Sequence, residues 1–190
     1  KKSKTEDVII IGGGPAGMSC AIQLKRCGII PLIIDKCNKG GLLRYANLVE
    51  NYPGFPGGIR GRDLVKRFRE QFRLEKLSCR QEKVLGVKYN KGLFKVLTGN
   101  DEYKTEYLVI ASGTKPKLFK DFDIDTSLFD SIFYGISELT NTKNKSIIIA
   151  GAGDLAFDYS LYLGKMNQIT ILNRSDKPKC IPLLFERAGK

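Results

Sequence analysis

Two short glycine clusters are the residues of this chain whose types and spacing can do chemistry. Gly12, Gly14 and Gly17 form a G-x-G-x-x-G, and Gly151, Gly153 and Ala156 form a G-x-G-x-x-A. In such a turn the first Gly permits a tight bend. The second lets a pyrophosphate reach the backbone, and the third position, Gly or Ala, lets a helix pack closely on a strand. The helix behind the turn aims free N–H groups and a positive dipole end at phosphates. Pro15 and Ala16 complete the first junction, Pro15 suiting a first helical turn where a missing N–H costs nothing. The chain has no histidine, which removes the commonest general acid/base and the commonest metal ligand. No catalytic side chain and no metal site is therefore assigned, and the chemistry falls largely to a cofactor.

The flanking elements must position these turns. Val8 to Ile11 is a continuous apolar run, as a strand buried on both faces of a parallel sheet requires. A helix follows the turn, and Leu32 to Ile34 make a second strand. Asp35 ends that strand 18 residues after Gly17 (35 − 17), where a carboxylate can accept bonds from ribose hydroxyls; Lys36 adjoins it. The second cluster repeats the order: an apolar strand at 146–150, a helix from 155, and a strand at 168–172. Here Asn173 and Arg174 stand where the first unit has its acid. A basic residue suits a 2′-phosphate, which leans toward NADP over NAD. Two dinucleotide units in one chain suggest a flavin and a nicotinamide, a pairing that needs no histidine.

Between the units, Gly40 and Gly41 mark a loop able to run close to a ligand. Residues 48–61 are too rich in Pro and Gly for regular structure. Asn51 and Tyr52 in that loop read as ligand contacts or as turn and packing residues, and composition alone favours the latter. Residues 62–76 read as an amphipathic helix, with Leu64, Phe68 and Phe72 on one face and Lys66, Arg67, Arg69 and Arg73 mostly off it. Residues 82–110 read as a three-strand antiparallel meander with a hairpin at Asn90–Gly92, its third run being Y-K-T-E-Y-L-V-I. That run stops at A-S-G-T, where the backbone of Ser112 and Gly113 can approach a ligand. Residues 115–145 read as a crossing segment with a short strand or turn of helix. The fold class is α/β: two Rossmann-like units with an antiparallel meander in the first. The division is 1–115 and 116–190.

With 32 Lys+Arg against 20 Asp+Glu the net charge is +12. This fits nucleic acid, an acidic protein, anionic ligands, or simply a lysine-rich solvated surface. No aromatic-basic platform or recognition helix supports nucleic-acid binding. No apolar run approaches the ~20 residues of a membrane span, and no signal peptide is read at the polar N-terminus. The five cysteines (Cys20, Cys27, Cys37, Cys79 and Cys180) include no C-x-x-C, which argues against a metal site or a disulfide framework and for a reducing, cytoplasmic setting.

The chain resembles the thioredoxin reductase branch of the two-dinucleotide-domain flavoproteins. The matching stretches are G-G-G-P-A-G-M at 12–18, G-G-L-L at 40–43, V-E-N-Y-P-G-F-P at 49–56, L-V-I-A-S-G at 108–113 and G-A-G-D-L-A-F-D-Y-S-L-Y-L at 151–163. The resemblance implies FAD in the first domain. Gly12, Gly14 and Gly17 would hold its pyrophosphate and Asp35 its adenosine ribose. Gly41 and Leu42 would lie along the flavin, with Leu42 where the family usually has glutamine. Asn51 would face the flavin, Val84 the adenine, and Ala111, Ser112 and Gly113 the cofactor edge. Gly151, Gly153, Asp154, Ala156 and Arg174 would bind NAD(P)H. A homodimer is implied for a full-length protein.

Three departures shape the function. The family's C-x-x-C positions fall on Gly135 and Glu138, which excludes thioredoxin reduction by that dithiol. The family's two arginines at the 2′-phosphate become Arg174 and Ser175. The family continues past the equivalent of Lys190, completing the second domain and returning to the flavin with an aspartate-bearing segment. The expected function is an FAD-dependent NAD(P)H oxidoreductase that passes electrons to an external acceptor, such as an acidic, ferredoxin-like protein. The alternative is a truncated, non-enzymatic nucleotide-binding or regulatory relative.

Overall fold

The computed structural model describes residues 3–36, 40–116 and 130–189. The chain divides into two compact units: residues 1–44 with 61–114, and residues 45–60 with 115–190. Residues 45–60 thus group with the second unit, although they precede most of the first. Part of the expected crossing segment, 117–129, lies outside the described residues, as does Cys37.

In the first unit the strands are β1 (Ser3–Thr5), β2 (Val8–Ile11), β3 (Leu32–Asp35), β4 (Cys79–Gln81), β5 (Val84–Asn90), β6 (Leu93–Thr98), β7 (Glu102–Thr105) and β8 (Tyr107–Ile110). The helices are α1 (Pro15–Arg26) and α2 (Gly61–Leu74). A parallel sheet has the order β4-β3-β2-β8, and a second sheet has the order β1-β7-β6-β5. The apolar run of β2 explains its place between the layers. Ile10 and Ile33 face one way and join Met18, Ala21, Phe72 and Leu77 under the helices. Ile9 and Ile34 face the other way and join Val96 and Tyr103 under the meander. These four isoleucines are fully buried, each worth about 1.5–3 kcal/mol of hydrophobic stabilisation.

The expected third strand of the meander is two strands. β7 pairs antiparallel with β6, whereas β8 pairs parallel with β2. Thr105 makes the break. Its hydroxyl donates to the Asp7 carbonyl (2.9 Å) and accepts from the Tyr107 N–H (3.2 Å). β1, a polar stretch not anticipated as a strand, pairs with β7.

In the second unit β9 (Ser146–Ala150) and β10 (Gln168–Leu172) pair in parallel, Ile147 opposite Ile169 and Ile149 opposite Ile171. α3 (Asp154–Leu163) buries Ala156, Phe157 and Leu163. α4 (Pro182–Ala188) starts on a proline at its N-terminus and sets Phe185 5.9 Å from Phe157, ring centre to ring centre. In the 45–60 segment, Val49 and Ile59 close a loop through paired backbone bonds of 2.8 and 3.0 Å. Among the described residues, no helix is long and apolar enough to cross a membrane.

Candidate functional site

At the C-terminal end of β2 the chain turns through Gly12, whose φ is +110°. Its N–H donates to the Ile34 carbonyl at 2.8 Å. A Cβ there would lie 2.2 Å from the Ala111 carbonyl oxygen, and one on Gly17 would lie 1.9 Å from the Gly12 carbonyl oxygen. These two glycines are required by packing. Gly14 is different: it caps α1 with extended backbone, and a Cβ on it would meet nothing within 4 Å. Pro15 opens the helix and Ala16 is exposed in its first turn.

Asp35 is held against this turn, its Oδ2 accepting the Gly13 N–H at 2.5 Å. Lys36 beside it is exposed. The Asp35 carbonyl accepts the Glu82 N–H at 3.0 Å, which ties the start of β5, and so Val84, to the same end of the sheet. Gly40 donates its N–H to the Gly13 carbonyl at 2.8 Å. A Cβ on Gly41 would lie 3.4 Å from the Gly14 Cα, and Leu42 is exposed. Ala111 donates to the Ile11 carbonyl at 2.8 Å and is followed by exposed Ser112 and Gly113. The Gly12–Gly14 turn, Asp35, Gly40, Gly41 and Ala111 meet where β2 is flanked by β3 on one side and β8 on the other, the kind of crevice in which open α/β sheets take ligands. Asn51 does not belong to this unit; it is exposed in the loop closed by Val49 and Ile59.

The second turn repeats the first. Gly151 has φ +113° and donates to the Leu172 carbonyl at 2.9 Å. Gly153 caps α3 with extended backbone, and Ala156 is buried behind it. Arg174 is exposed just past β10. The Asp154 carboxylate is engaged: its Oδ1 accepts the Ile181 N–H at 2.8 Å. The Lys179 N–H donates to the Ala152 carbonyl at 2.8 Å, and Gly153 and Lys179 form a parallel bridge. Sequence reasoning missed this crossing of 179–181 over the turn; its local signal was the pair Pro178 and Pro182. Gly135 and Glu138 bracket a short 3₁₀ turn, Ile136–Glu138, with Ile136 buried.

On α3, Asp158 and Tyr159 are half-buried. Burial raises the Asp158 carboxyl above its usual range, partly offset by the Asn47 N–H, which lies 3.3 and 3.2 Å from its two oxygens. Burial also raises the Tyr159 phenol. Among the described residues no three His, Cys, Asp or Glu side chains cluster as metal ligands would.

Two strand–glycine turn–helix–strand units, each with its turn at the C-terminal end of parallel strands, define a protein of the dinucleotide-binding α/β class. Residues 6–188 match the family model of pyridine nucleotide-disulphide oxidoreductases, and the chain belongs to that family. It is 30% identical to a thioredoxin reductase of Buchnera aphidicola subsp. Acyrthosiphon pisum, covering 100% of this chain and 60% of that protein. It is 32% identical to one of Rickettsia conorii, covering 98% and 61%. Among solved structures it is similar to Lactococcus lactis thioredoxin reductase, with a TM-score of 0.84 and 28% identity over 97% of this chain and 61% of that one. It is also similar to a bacillithiol disulfide reductase of Staphylococcus aureus, with a TM-score of 0.74 and 25% identity over 98% and 63%. The chain thus spans about 60% of the length of the curated relatives it matches.

Proposed function

We propose that the chain carries the two nucleotide sites of an FAD-dependent NAD(P)H oxidoreductase, FAD in the first unit and the nicotinamide dinucleotide in the second. The observation that carries this reading is the repetition of one turn, closed by the Gly12 bond to Ile34 and the Gly151 bond to Leu172, whose second strand runs on into Asp35 in the first unit and into uncharged Asn173, followed by Arg174, in the second. A carboxylate suits a ribose bearing free hydroxyls, and a guanidinium suits a 2′-phosphate.

The first turn fits FAD. Gly12 and Gly17 close the backbone on itself, while the space beyond Gly14 is open, so a pyrophosphate can come against the N-terminus of α1. Gly12, Gly14, Pro15, Ala16 and Gly17 would hold it. Asp35, oriented by Gly13, would hold the adenosine ribose with Lys36 beside it, and Val84 would flank the adenine. Gly41, Leu42 and Ala111 to Gly113 would border the flavin side. Gly151, Gly153 and Ala156 would seat NAD(P)H, with Arg174 at the 2′-phosphate and Asp154 at the same turn.

When bound, FAD supplies hydride acceptance and onward electron transfer. The chain's own residues bind, orient and exclude water; no histidine is available as a general acid or base. Gly135 and Glu138 stand at the positions of the family's dithiol, so the electrons would go to an external acceptor, and the +12 charge is compatible with an acidic ferredoxin-like protein. Cysteines without a pairing pattern suit a reducing, cytoplasmic setting.

The test is to load the full chain with FAD and add NADPH or NADH without oxygen. Flavin bleaching, followed by reduction of ferredoxin or a dye, is expected. No bleaching with either nicotinamide would overturn the reading.

A further inference from the structure

Both glycine turns are crossed by the loop that follows their second strand, and by the same bond. Gly40 donates its N–H to Gly13 in the first unit, and Lys179 donates to Ala152 in the second, each at 2.8 Å. Gly13 and Ala152 are the middle residues of the two G-x-G turns. The first strap passes glycine against the turn: Gly40 has φ +118°, and a Cβ on it would lie 2.4 Å from a Val65 methyl. The second, residues 173–181, carries three exposed cations, Arg174, Lys177 and Lys179.

The second strap also has a tie to the helix behind its turn. Asp154 accepts the Ile181 N–H at 2.8 Å across 27 residues of chain. When the turns are superposed on Gly14 and Gly153, the residue at that place in the first unit is Pro15, which has no such group. A carboxylate in the first turn of α3 stabilises the helix but opposes a phosphate brought to the same N–H groups. Its bond to Ile181 gives the charge a partner on the strap.

We infer that Asp154 is a positioning residue that clamps the cationic 173–181 strap over the second glycine turn rather than touching the dinucleotide itself. This rests on the reading of the second unit as the nicotinamide site. It assigns to Asp154 an indirect part in choosing between NADP and NAD. The strap bears the cations that a 2′-phosphate needs, and NAD offers them no such group.

Asp154→Ala and Asp154→Asn separate this from the other roles a carboxylate could have there. Asparagine keeps an acceptor oxygen for Ile181 and loses the charge; alanine loses both. NADP+ and NAD+ affinities are measured by titration calorimetry on the full chain, with amide hydrogen exchange at Lys179 and Ile181. D154A is expected to weaken NADP+ by about five- to tenfold, the scale of one ordinary hydrogen bond lost from the strap, with a smaller change for NAD+ and faster exchange at both amides. D154N keeps an acceptor for Ile181 and loses the charge that opposes a phosphate, so it is expected to keep both amides protected and to bind both dinucleotides at least as tightly as the parent chain. Equal weakening of both dinucleotides by both variants would mean direct contact and overturn the clamp. Equal tightening by both would mean a bare charge effect and overturn it too. If the parent chain binds neither dinucleotide, the nicotinamide reading fails on its own. The clamp is then decided by exchange: Ile181 protection lost in D154A and kept in D154N supports it, and protection kept in both overturns it.

Discussion

A Cβ on Gly17 would stand 1.9 Å from the carbonyl oxygen of Gly12, while a Cβ on Gly14, three residues earlier, would touch nothing within 4 Å. The two glycines of one motif therefore answer different demands. Gly17→Ala forces backbone against backbone, and we expect it to cost about 3 kcal/mol or more. Gly14→Ala keeps its ordinary φ of −77° and changes only a helix cap, so about 1 kcal/mol or less is expected. Its methyl fills the proposed pyrophosphate space, so FAD affinity should fall at least about tenfold, the cost of a lost phosphate contact. Urea melts and flavin-quenching titrations on both variants check this. Equal loss of stability in the two would show that Gly14 is structural as well.

Asp35 serves its neighbour before it serves any ligand. Its Oδ2 accepts the N–H of Gly13, a buried residue. Asp35→Ala leaves that donor unpaired, at about 1–3 kcal/mol. Asp35→Asn keeps an acceptor for Gly13 and should fold nearly as stably. For FAD the expected order of affinity is Asp, then Asn, then Ala, because an amide puts a donor where a ribose hydroxyl needs an acceptor. An Asn variant that binds FAD as tightly as the parent chain would remove Asp35 from the ribose.

The glycine turns were legible because their constraints are local. A positive φ, a helix N-terminus and an apolar strand all fall within a few residues of Gly12 or Gly151. The break between β7 and β8 was not legible. Y-K-T-E-Y-L-V-I alternates like one strand, and what divides it is the Thr105 hydroxyl bonding the carbonyl of Asp7, 98 residues away. β1 was hidden for a similar reason. Its polar residues have no apolar period, and it becomes a strand by pairing Lys4 with Tyr103, with the Lys4 ammonium 2.6 Å from Asp101. The crossing of 179–181 depends on Ala152 and Asp154, far earlier in the chain. In each case the deciding partner is distant in sequence, where periodicity carries no information.

Tyr103 gives the first unit a pH dependence at the alkaline end. It is fully buried, with its hydroxyl 3.3 Å from both Glu82 and Asp101. Burial, reinforced by the Glu82 charge, pushes the phenol up to about 12. An unfolded tyrosine ionises near 10. Between about 10 and 12 the unfolded chain has released this proton and the folded one has not, so stability falls as pH rises. Tyr103→Phe has no proton to lose and should show a shallower decline over that range. In a spectrophotometric titration Tyr103 should be among the last phenols to ionise. A parent chain and variant with parallel declines would overturn this account.

Asp158 gives the second unit the opposite kind of acid behaviour from an ordinary surface carboxylate. Glu50, bonded to Arg187 at 2.5 and 2.9 Å, is held below its usual value; it stabilises the fold at neutral pH and loses that contribution as pH falls. Asp158 is raised by burial instead. As pH falls through its folded value toward 3.8, the folded state takes the proton first, so its contribution to stability grows with acid; at neutral pH its charge is a cost. Asp158→Asn removes that cost and keeps an acceptor for the Asn47 N–H. The variant should be more stable than the parent chain at neutral pH, by a margin kept small because the group is half exposed to solvent. The margin should shrink as pH drops and vanish once Asp158 is protonated in both states. Urea melts of the two chains at neutral pH and near pH 4 isolate this group from Glu50, which both share. A margin unchanged between the two pH values would show that the gain, if any, does not come from relieving a buried charge.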